Sequence, residues 1–300
     1  MIGHRIAPLL GIARANFLLL PVALVAVGAA AAAWDGAFRW TPTWLALAGL
    51  TLLHAAVNAL NEASDMETGI DLQTVRTPFS GGSGTLPAGQ LSVRATRVFA
   101  SGCIAVAAVI GLWFAVRLGP WFVGLLAVGA ASVLFYTERF ARTGLGEVVA
   151  GLGLGALPVW GAAWVQGPPP GPAAMWAGVP AFFMTFNLLL LNEFPDEGAD
   201  RAGGRKNLVL LLGRQGAALI YAAAALLAPT AIVAAVVIEA LPPHALAAVL
   251  PSILLVPPFG WVFGDTRQPV PHGALGANVA WNLATNAVLA LALVAALLMA

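Results

Sequence analysis

Acidic side chains are concentrated in two short segments of the chain. Residues 61–71 read NEASDMETGID and residues 192–200 read NEFPDEGAD, and together they hold eight of the 13 acidic residues. Neighbouring carboxylates repel one another and retain protons unless a cation lies between them. Oxygen ligands without a His or Cys partner favour Mg²⁺, which binds one or two carboxylates together with substrate phosphates. The two segments therefore predict a site for magnesium and a diphosphate.

Basic side chains follow both acidic segments and also occur between them. Arg76 comes after the first segment, Arg139 and Arg142 lie midway, and Arg205 and Lys206 come after the second. Cations placed around a diphosphate neutralise the charge that accumulates on a leaving pyrophosphate. Their positions agree with chemistry in which pyrophosphate departs.

The composition shows what kind of protein must position these groups. Hydrophobic residues make up 60% of the 300 residues and charged residues only 9%, with a mean hydropathy of +0.88. Soluble domains contain about 25% charged residues, so this chain could not cover a water-facing surface. A net charge of +1 leaves no basic field for nucleic acid. The single cysteine, Cys103, excludes a disulfide framework and a Cys-ligated metal site.

Nine apolar segments are long enough to cross a bilayer as helices, which requires about 17–25 residues each. The first segment follows Arg5 and Arg14 as a secretory signal would, but eight more segments follow it, and we interpret it as a retained span. We treat residues 1–300 as one membrane-embedded domain. The predicted spans are 17–33, 42–64, 94–116, 119–137, 144–166, 173–194, 215–239, 245–264 and 276–299.

The acidic segments occupy matching places in this series of helices. Asn61 and Asn192 are 131 positions apart (192 − 61), and the segments follow the second and the sixth spans. Four spans restore the original orientation, so the chain is predicted to be all-α, with two parallel four-helix repeats and a ninth helix. Of the 14 basic residues, 12 fall on the side of the acidic segments, and only Arg39 and Arg117 fall on the other. This asymmetry predicts an inner (plasma) membrane protein whose central cavity opens to the cytoplasm.

Helical periodicity places polar residues on one face of each helix that leads to an acidic segment. At about 100° per residue, His54, Asn58, Asn61 and Asp65 fall within about 60° of one another. On the sixth span Asn192 and Asp196 share a face, with Thr185 two turns earlier. Such stripes face a bundle interior or a water-filled cavity. For His54 we favour a hydrogen-bonded interior histidine over a contact to a bound acceptor.

Taken together, these residues resemble the UbiA superfamily of intramembrane prenyltransferases along almost the whole chain. The two motifs read Asn-x3-Asp-x5-Asp and Asn-x3-Asp-x3-Asp. Three further stretches are similar to segments of that family: RTPFSGGSG at 76–84, GLGE at 144–147 and GGRKNL at 203–208. The family transfers a prenyl chain from an allylic diphosphate, usually to an aromatic ring, with Mg²⁺.

The resemblance implies a role for each motif residue. It assigns Asp65 and Asp71 to one Mg²⁺ and Asp196 and Asp200 to the other, and it makes the six motif residues the catalytic set. Asn61 and Asn192 would orient the diphosphate or metal-bound water. The implied substrate-binding residues are Asn58, Arg76, Arg139 and Lys206. The implied partners are a polyprenyl diphosphate, an aromatic acceptor and membrane lipid, with no nucleic acid.

Two departures from the commonest family pattern bear on the acceptor. The first motif has five residues between its acids where many members have three, and Glu62 stands where Asp is frequent. The longer spacing resembles the branch that prenylates 1,4-dihydroxy-2-naphthoate more than the 4-hydroxybenzoate branch. Other acceptors of the superfamily remain alternatives. A transporter is the alternative from another class, because internal repeats and polar residues within helices also suit alternating access.

Overall fold

The computed structural model describes residues 2–74, 76–77 and 79–299, and this part of the chain is helical with no strand. Two 3₁₀ turns, Ala15–Phe17 and Phe140–Arg142, connect helices. The helices are α1 (Ile2–Ile12), α2 (Leu19–Trp34), α3 (Trp40–Thr68), α4 (Ile70–Gln73), α5 (Val93–Leu118), α6 (Pro120–Leu134), α7 (Gly146–Trp164), α8 (Pro172–Ala202), α9 (Leu208–Val237), α10 (Pro243–Val262) and α11 (His272–Met299).

Each of the nine predicted spans coincides with a helix of this bundle. Eight of the described helical segments are long and apolar enough to cross a membrane, counting the turn at Ala15–Phe17 with α2. The helix at the fourth predicted span, α6, is not among these eight. It has only 15 residues and ends at Leu134, whereas the predicted span extends to residue 137. After Leu134 the chain forms turns, and Ala141 O at the end of these turns accepts a hydrogen bond from Lys206 N.

Three helices depart from regular α-geometry. In α7, Leu152–Ala156 forms a π-helical segment, and in α9 Gly213 has a non-helical conformation with φ of 72°. The eighth span, α10, is a 3₁₀ helix over Pro243–Leu255 and an α-helix from Val256 onwards. The change of helix type therefore falls directly before Pro257 and Pro258, and proline is a common cause of kinks in helices.

The two helices that lead to the acidic segments have equivalent neighbours. In the first half α3 packs against α5, the next span along the chain, and in the second half α8 packs against α9. The core is built largely from small residues, and Ala174, Ala177 and Ala181 of α8 are fully buried. Small side chains allow helix backbones to approach closely in a membrane protein.

Polar side chains inside the bundle connect helices. Tyr221 Oη of α9 donates a hydrogen bond to Asn278 Oδ1 of α11, and Asn278 Nδ2 donates to Asn187 O of α8. Asn278 therefore connects α8, α9 and α11. Asn282 instead accepts from Asn286 within the same helix.

Candidate active site

One cavity collects the polar faces of α3 and α8. Residues of α2, α4 and α7 also contribute to its wall, as do residues of the segment 80–84, which we call the glycine-rich segment. The polar lining residues on α3 and α8 run from the interior of the bundle towards the ends of the helices, where the acids lie. They are His54, Asn58, Asn61 and Asp65 on α3 and Thr185, Asn192, Glu193, Asp196 and Asp200 on α8.

The first motif reaches the cavity through a break in its helix. Asp65 lies in the last turns of α3, which ends at Gly69 with φ of 78°, and Asp71 belongs to the separate short helix α4. In a continuous helix, residues six positions apart would point about 120° away from each other. The left-handed glycine redirects the chain, so that both Asp65 and Asp71 line the cavity.

The second motif needs no break. Helix α8 continues to Ala202, so Asp196 and Asp200 are one turn apart on one face. Asn207 orients the second carboxylate, because its Nδ2 donates to Asp200 Oδ2 at 2.9 Å. The same side chain caps α9 by accepting a hydrogen bond from Leu210 N at 2.9 Å.

Arg205 joins the two motifs. Its Nη2 forms a short ion pair with Asp65 and also donates to Asn61 Oδ1 at 2.9 Å. Its Nη1 lies 3.6 Å from Asp200 Oδ1 in the second motif. Burial alone would lower the pKa of this guanidinium, but the Asp65 and Asp200 carboxylates raise it above its ordinary value. Arg205 is therefore a permanent cation between the two acidic segments.

The backbone around Arg205 is held by contacts from distant parts of the chain. Lys206 N donates to Ala141 O at 3.0 Å, and Leu208 N donates to Glu147 Oε1 at 2.6 Å. Glu147 is fully buried in the first turn of α7. These contacts direct Arg205 into the cavity and leave the neighbouring Lys206 exposed.

Glu62 fastens the glycine-rich segment to α3. Its Oε1 accepts hydrogen bonds from Ser83 N at 2.6 Å and Arg14 Nε at 3.2 Å, and its Oε2 accepts from Ser83 Oγ at 2.7 Å. The Glu62 side chain is completely buried by these contacts. The fastened segment then places Gly82 against the Asp71 carboxylate, since a Cβ at Gly82 would lie 2.6 Å from Asp71 Oδ1.

Several carboxylate oxygens in the cavity have no hydrogen-bond partner among the described residues. They are Asp71 Oδ2, Glu193 Oε2, Asp196 Oδ1 and Asp200 Oδ1. Burial, followed by the nearby Glu62 and Asp65 carboxylates, raises the pKa of Asp71 to about 7. Both observations indicate an excess of acceptor oxygens, which a bound cation would satisfy.

The acids do not form a compact cage. Among the residues that the structure describes, no three His, Cys, Asp or Glu side chains converge closely enough to hold an ion by themselves. The carboxylates instead stand on two sides of the cavity, with Arg205 between them. This arrangement suits an ion whose coordination is completed by substrate oxygens.

The predicted site residues divide into two groups. The cavity is lined by Asn58, Asn61, Asp65, Asp71, Asn192, Asp196 and Asp200. Arg76 is exposed and lies outside the described lining, although its Nη2 donates to Asp71 O at 3.2 Å. Arg139 and Lys206 are exposed and do not belong to the described lining.

The structure also adds lining residues that the sequence prediction omits from its site. Arg14, Tyr136, Glu193 and Arg205 all line the cavity. Glu193 had a sequence signal, since it occupies the position equivalent to Glu62 in the second motif. Arg205 and Lys206 are adjacent in sequence, and only the conformation of the loop separates their roles.

Comparisons with known proteins agree on one family. The model of the UbiA prenyltransferase family matches residues 19–271. The chain is 30% identical to digeranylgeranylglyceryl phosphate synthase of Methanopyrus kandleri, over 74% of this chain and 79% of that protein. It is 27% identical to 1,4-dihydroxy-2-naphthoate octaprenyltransferase of Mycobacterium tuberculosis, over 70% of this chain and 71% of that protein.

Solved structures share the fold at low sequence identity. The apo structure of a UbiA homolog from Aeropyrum pernix K1 aligns with a TM-score of 0.71 at 16% identity, covering 94% of this chain and 98% of that one. A UbiA homolog from Archaeoglobus fulgidus, bound to GPP and Mg²⁺, aligns with a TM-score of 0.65 at 15% identity, covering 94% and 99%.

The fold and the cavity define a multi-pass membrane enzyme with two acidic motifs at the ends of two equivalent helices. The chain belongs to the UbiA prenyltransferase family and is a prenyltransferase. The sequence-based family assignment is confirmed, and the alternative of a transporter is not supported.

Proposed function

We propose that this enzyme transfers a prenyl chain from a polyprenyl diphosphate to an aromatic acceptor, with Mg²⁺, and that the acceptor is 1,4-dihydroxy-2-naphthoate. The observation that carries the proposal is the convergence of both acidic motifs on one cavity, with Arg205 bridging them. The relative from Mycobacterium tuberculosis and the five-residue spacing in the first motif support the naphthoate acceptor.

The residues fit magnesium. All candidate ligands are oxygen atoms, and carboxylate oxygens of Asp71, Asp196 and Asp200 lack hydrogen-bond partners among the described residues. In this proposal Asp65 and Asp71 hold one ion, and Asp196 and Asp200 hold the other. When bound, the ions supply positive charge to the diphosphate oxygens, where negative charge accumulates as the C–O bond breaks.

The residues of the chain then bind and orient the reactants. Arg205 adds a fixed positive charge between the motifs, and Arg76 contacts the backbone of Asp71, next to the proposed diphosphate site. The C–O bond of the prenyl diphosphate breaks with its electron pair leaving on pyrophosphate, and the electron-rich ring attacks the allylic cation. The ring then loses a proton or CO₂. Leu154, Leu188 and Leu189 line the cavity and exclude water from the cation.

The distribution of basic residues supports a cytoplasmic active site in the inner (plasma) membrane. Twelve of the 14 Lys and Arg residues are assigned to the side where the acidic motifs lie. In this orientation the cavity receives water-soluble Mg²⁺ and acceptor from the cytoplasm and the prenyl donor from the lipid.

A second acceptor class has its own support. The relative from Methanopyrus kandleri is a digeranylgeranylglyceryl phosphate synthase, and it is 30% identical to this chain. In that alternative the acceptor oxygen of a glyceryl phosphate forms an ether with the prenyl chain, and no CO₂ leaves.

Mass spectrometry of products separates the two acceptors. The purified enzyme in detergent receives Mg²⁺, prenyl diphosphates of several lengths and either 1,4-dihydroxy-2-naphthoate, 4-hydroxybenzoate or a glyceryl phosphate. We expect Mg²⁺-dependent pyrophosphate release and a decarboxylated, prenylated naphthoquinol. Prenylation of 4-hydroxybenzoate or of the glyceryl phosphate alone would overturn the acceptor but leave the transfer reaction. No release of pyrophosphate under any condition would overturn the reaction itself.

A further inference from the structure

Two polar atoms lie deep in the cavity, and neither has a hydrogen-bond partner among the described residues. They are Nε2 of His54 on α3 and Oγ1 of Thr185 on α8. The two residues are only 4% and 3% exposed, yet both line the cavity. Buried polar groups are normally hydrogen-bonded, so an unpartnered pair in a cavity wall indicates a ligand that completes them.

The pair occupies equivalent positions in the two halves of the chain. His54 and Thr185 are separated by the same 131 positions (185 − 54) as Asn61 and Asn192. Each lies 11 residues before the first aspartate of its motif, which corresponds to about 16 Å along the helix. The two side chains therefore belong to one layer, well below the carboxylates at the mouth.

The wall next to this layer contains apolar side chains. Val57 on α3 and Leu188 and Leu189 on α8 line it, together with Leu20 of α2. Asn58 lies beside them, with its Nδ2 donating to Ala13 O at 3.0 Å. The other polar residues between this layer and the carboxylates, Asn61, Asn192 and Glu193, lie closer to the aspartates. A diphosphate, the reacting carbon and a flat ring placed end to end would fill this interval and bring the far edge of the ring to His54 and Thr185.

The hydrogen bond of His54 specifies what the far edge must carry. Its Nδ1 lies 3.2 Å from Leu50 O, which can only accept, so Nδ1 carries the proton. In a neutral imidazole Nε2 is then the acceptor and needs a partner with an O–H or N–H group. The Thr185 hydroxyl can donate to the oxygen of the same group.

We propose that His54 and Thr185 form a subsite that binds a ring hydroxyl of the aromatic acceptor and so selects a hydroxylated ring. The subsite rests on the proposed function, because the prenyl donor occupies the carboxylate end of the cavity. His54 and Thr185 act by positioning the acceptor ring in front of the carbon that loses pyrophosphate.

Matched variants test this subsite. Thr185→Val removes the hydroxyl at nearly constant shape, and His54→Leu removes the ring acceptor, whereas His54→Gln retains an acceptor oxygen. Thr285→Val is the control, since Thr285 is 2% exposed with an unpartnered Oγ1 among the described residues but does not belong to the cavity lining. The probes are 1,4-dihydroxy-2-naphthoate and its 1,4-dimethoxy analogue, bound to the full-length enzyme in detergent without oxygen and followed by calorimetry.

We expect Thr185→Val and His54→Leu to weaken binding of the dihydroxy acid about tenfold, as loss of one buried hydrogen bond does. Binding of the dimethoxy analogue should not change in His54→Leu, because a methoxy group has no O–H to donate to Nε2. Binding of the prenyl diphosphate should not change in either variant. His54→Gln should recover most of the affinity, and Thr285→Val should match the unmodified enzyme. In steady-state assays the loss should appear in KM for the acceptor and not in KM for the donor.

Equal effects of His54→Leu on both probes, or no effect of either variant on the dihydroxy acid, would overturn the subsite. The same holds if the unmodified enzyme binds the dihydroxy acid no more tightly than its dimethoxy analogue. Failure of the proposed function has a different signature, because the enzyme would then release no pyrophosphate whatever the acceptor. Acceptor binding is measured without turnover, so it reports on the subsite in either case.

Discussion

The two halves of the molecule use the same opening residues to build different motifs. Asn61, Glu62 and Asp65 recur 131 positions later as Asn192, Glu193 and Asp196. The first motif then leaves its helix at Gly69, whereas the second continues along α8. Both place a second carboxylate in the cavity, so the spacing of the acids follows from the path of the backbone.

The hydrogen-bond partners of the two equivalent glutamates, Glu62 and Glu193, differ. Glu62 accepts three hydrogen bonds, from Ser83 and Arg14, and holds the glycine-rich segment. Glu193 lines the cavity beside Glu147, and its Oε2 has no partner within the described residues. One glutamate is a structural anchor, while its counterpart faces the site.

The largest expected effect tests whether the two aspartates are equally important. Asp65→Asn and Asp196→Asn should each lower turnover at least ~100-fold with the fold intact, because each removes a charge that we propose to hold Mg²⁺. Pyrophosphate release at saturating Mg²⁺ measures this. Glu67→Gln is the control, since Glu67 is exposed and paired with Arg97 at 2.6 Å. Near-normal rates in both aspartate variants would contradict the assigned roles.

The connection between the halves should depend on Arg205 and not on Lys206. Arg205→Met should lower kcat/KM for the prenyl diphosphate by roughly 10- to 100-fold, because the cation that contacts both motifs is lost. Lys206→Met should remain within a few-fold of the unmodified enzyme, since this exposed residue lies outside the described lining. The reverse order of effects would return the role to Lys206.

The helix break can be tested with two glycines, one from each motif. Gly69→Ala forces a side chain into the left-handed region and should destabilise the protein by about 1–2 kcal/mol. It should also raise the Mg²⁺ concentration needed for half-maximal rate, because Asp71 follows the break. Gly198→Ala in α8, where a Cβ meets open space, should be neutral or stabilising by up to about 1 kcal/mol.

Denaturation in detergent together with Mg²⁺ titration provides both readings for the glycine pair. Similar stability of the two variants would mean that the first motif does not depend on the conformation of Gly69.

The last comparison concerns the two glutamates, for which we expect an effect on stability and the smallest effect on activity. Glu62→Gln should lower the free energy of unfolding by about 1–3 kcal/mol, because an ion pair and two well-formed hydrogen bonds are disturbed. Glu193→Gln should change it little, since its Oε2 has no partner in the described structure and Glu147 is close. Thermal unfolding in detergent measures both, and equal losses would remove the distinction between anchor and lining residue.

The spans and the meeting of the motifs follow from patterns that lie along the chain. Long apolar segments and the face shared by Asn61 and Asp65 need only helical periodicity, and these predictions place α3 and α8 correctly. The early end of α6 could not be predicted, because apolar residues continue to Phe135 after the helix has ended. The helix α1 is not among the predicted spans, because its 11 residues are too few to span a membrane.

The details of the site depend on contacts between distant residues. The inward direction of Arg205 results from hydrogen bonds of Lys206 N with Ala141 and of Leu208 N with Glu147. The anchoring role of Glu62 requires Ser83, which is 21 positions away. Neither contact leaves a periodic signal in the sequence. The residues alone therefore suggested several cations for the diphosphate, and the family resemblance named Lys206 and not Arg205.

The lengths of α3 and α8 have a consequence for how the donor is delivered. With 29 and 31 residues, these helices extend about 43 Å and 46 Å, well beyond a hydrocarbon core of about 30 Å. Their acidic ends therefore reach the headgroup layer. An amphiphilic diphosphate in one leaflet can therefore bind with its diphosphate group at the depth that it already occupies in the membrane. The diphosphate group does not have to enter the hydrocarbon core, and the prenyl chain does not have to leave it, before the reaction.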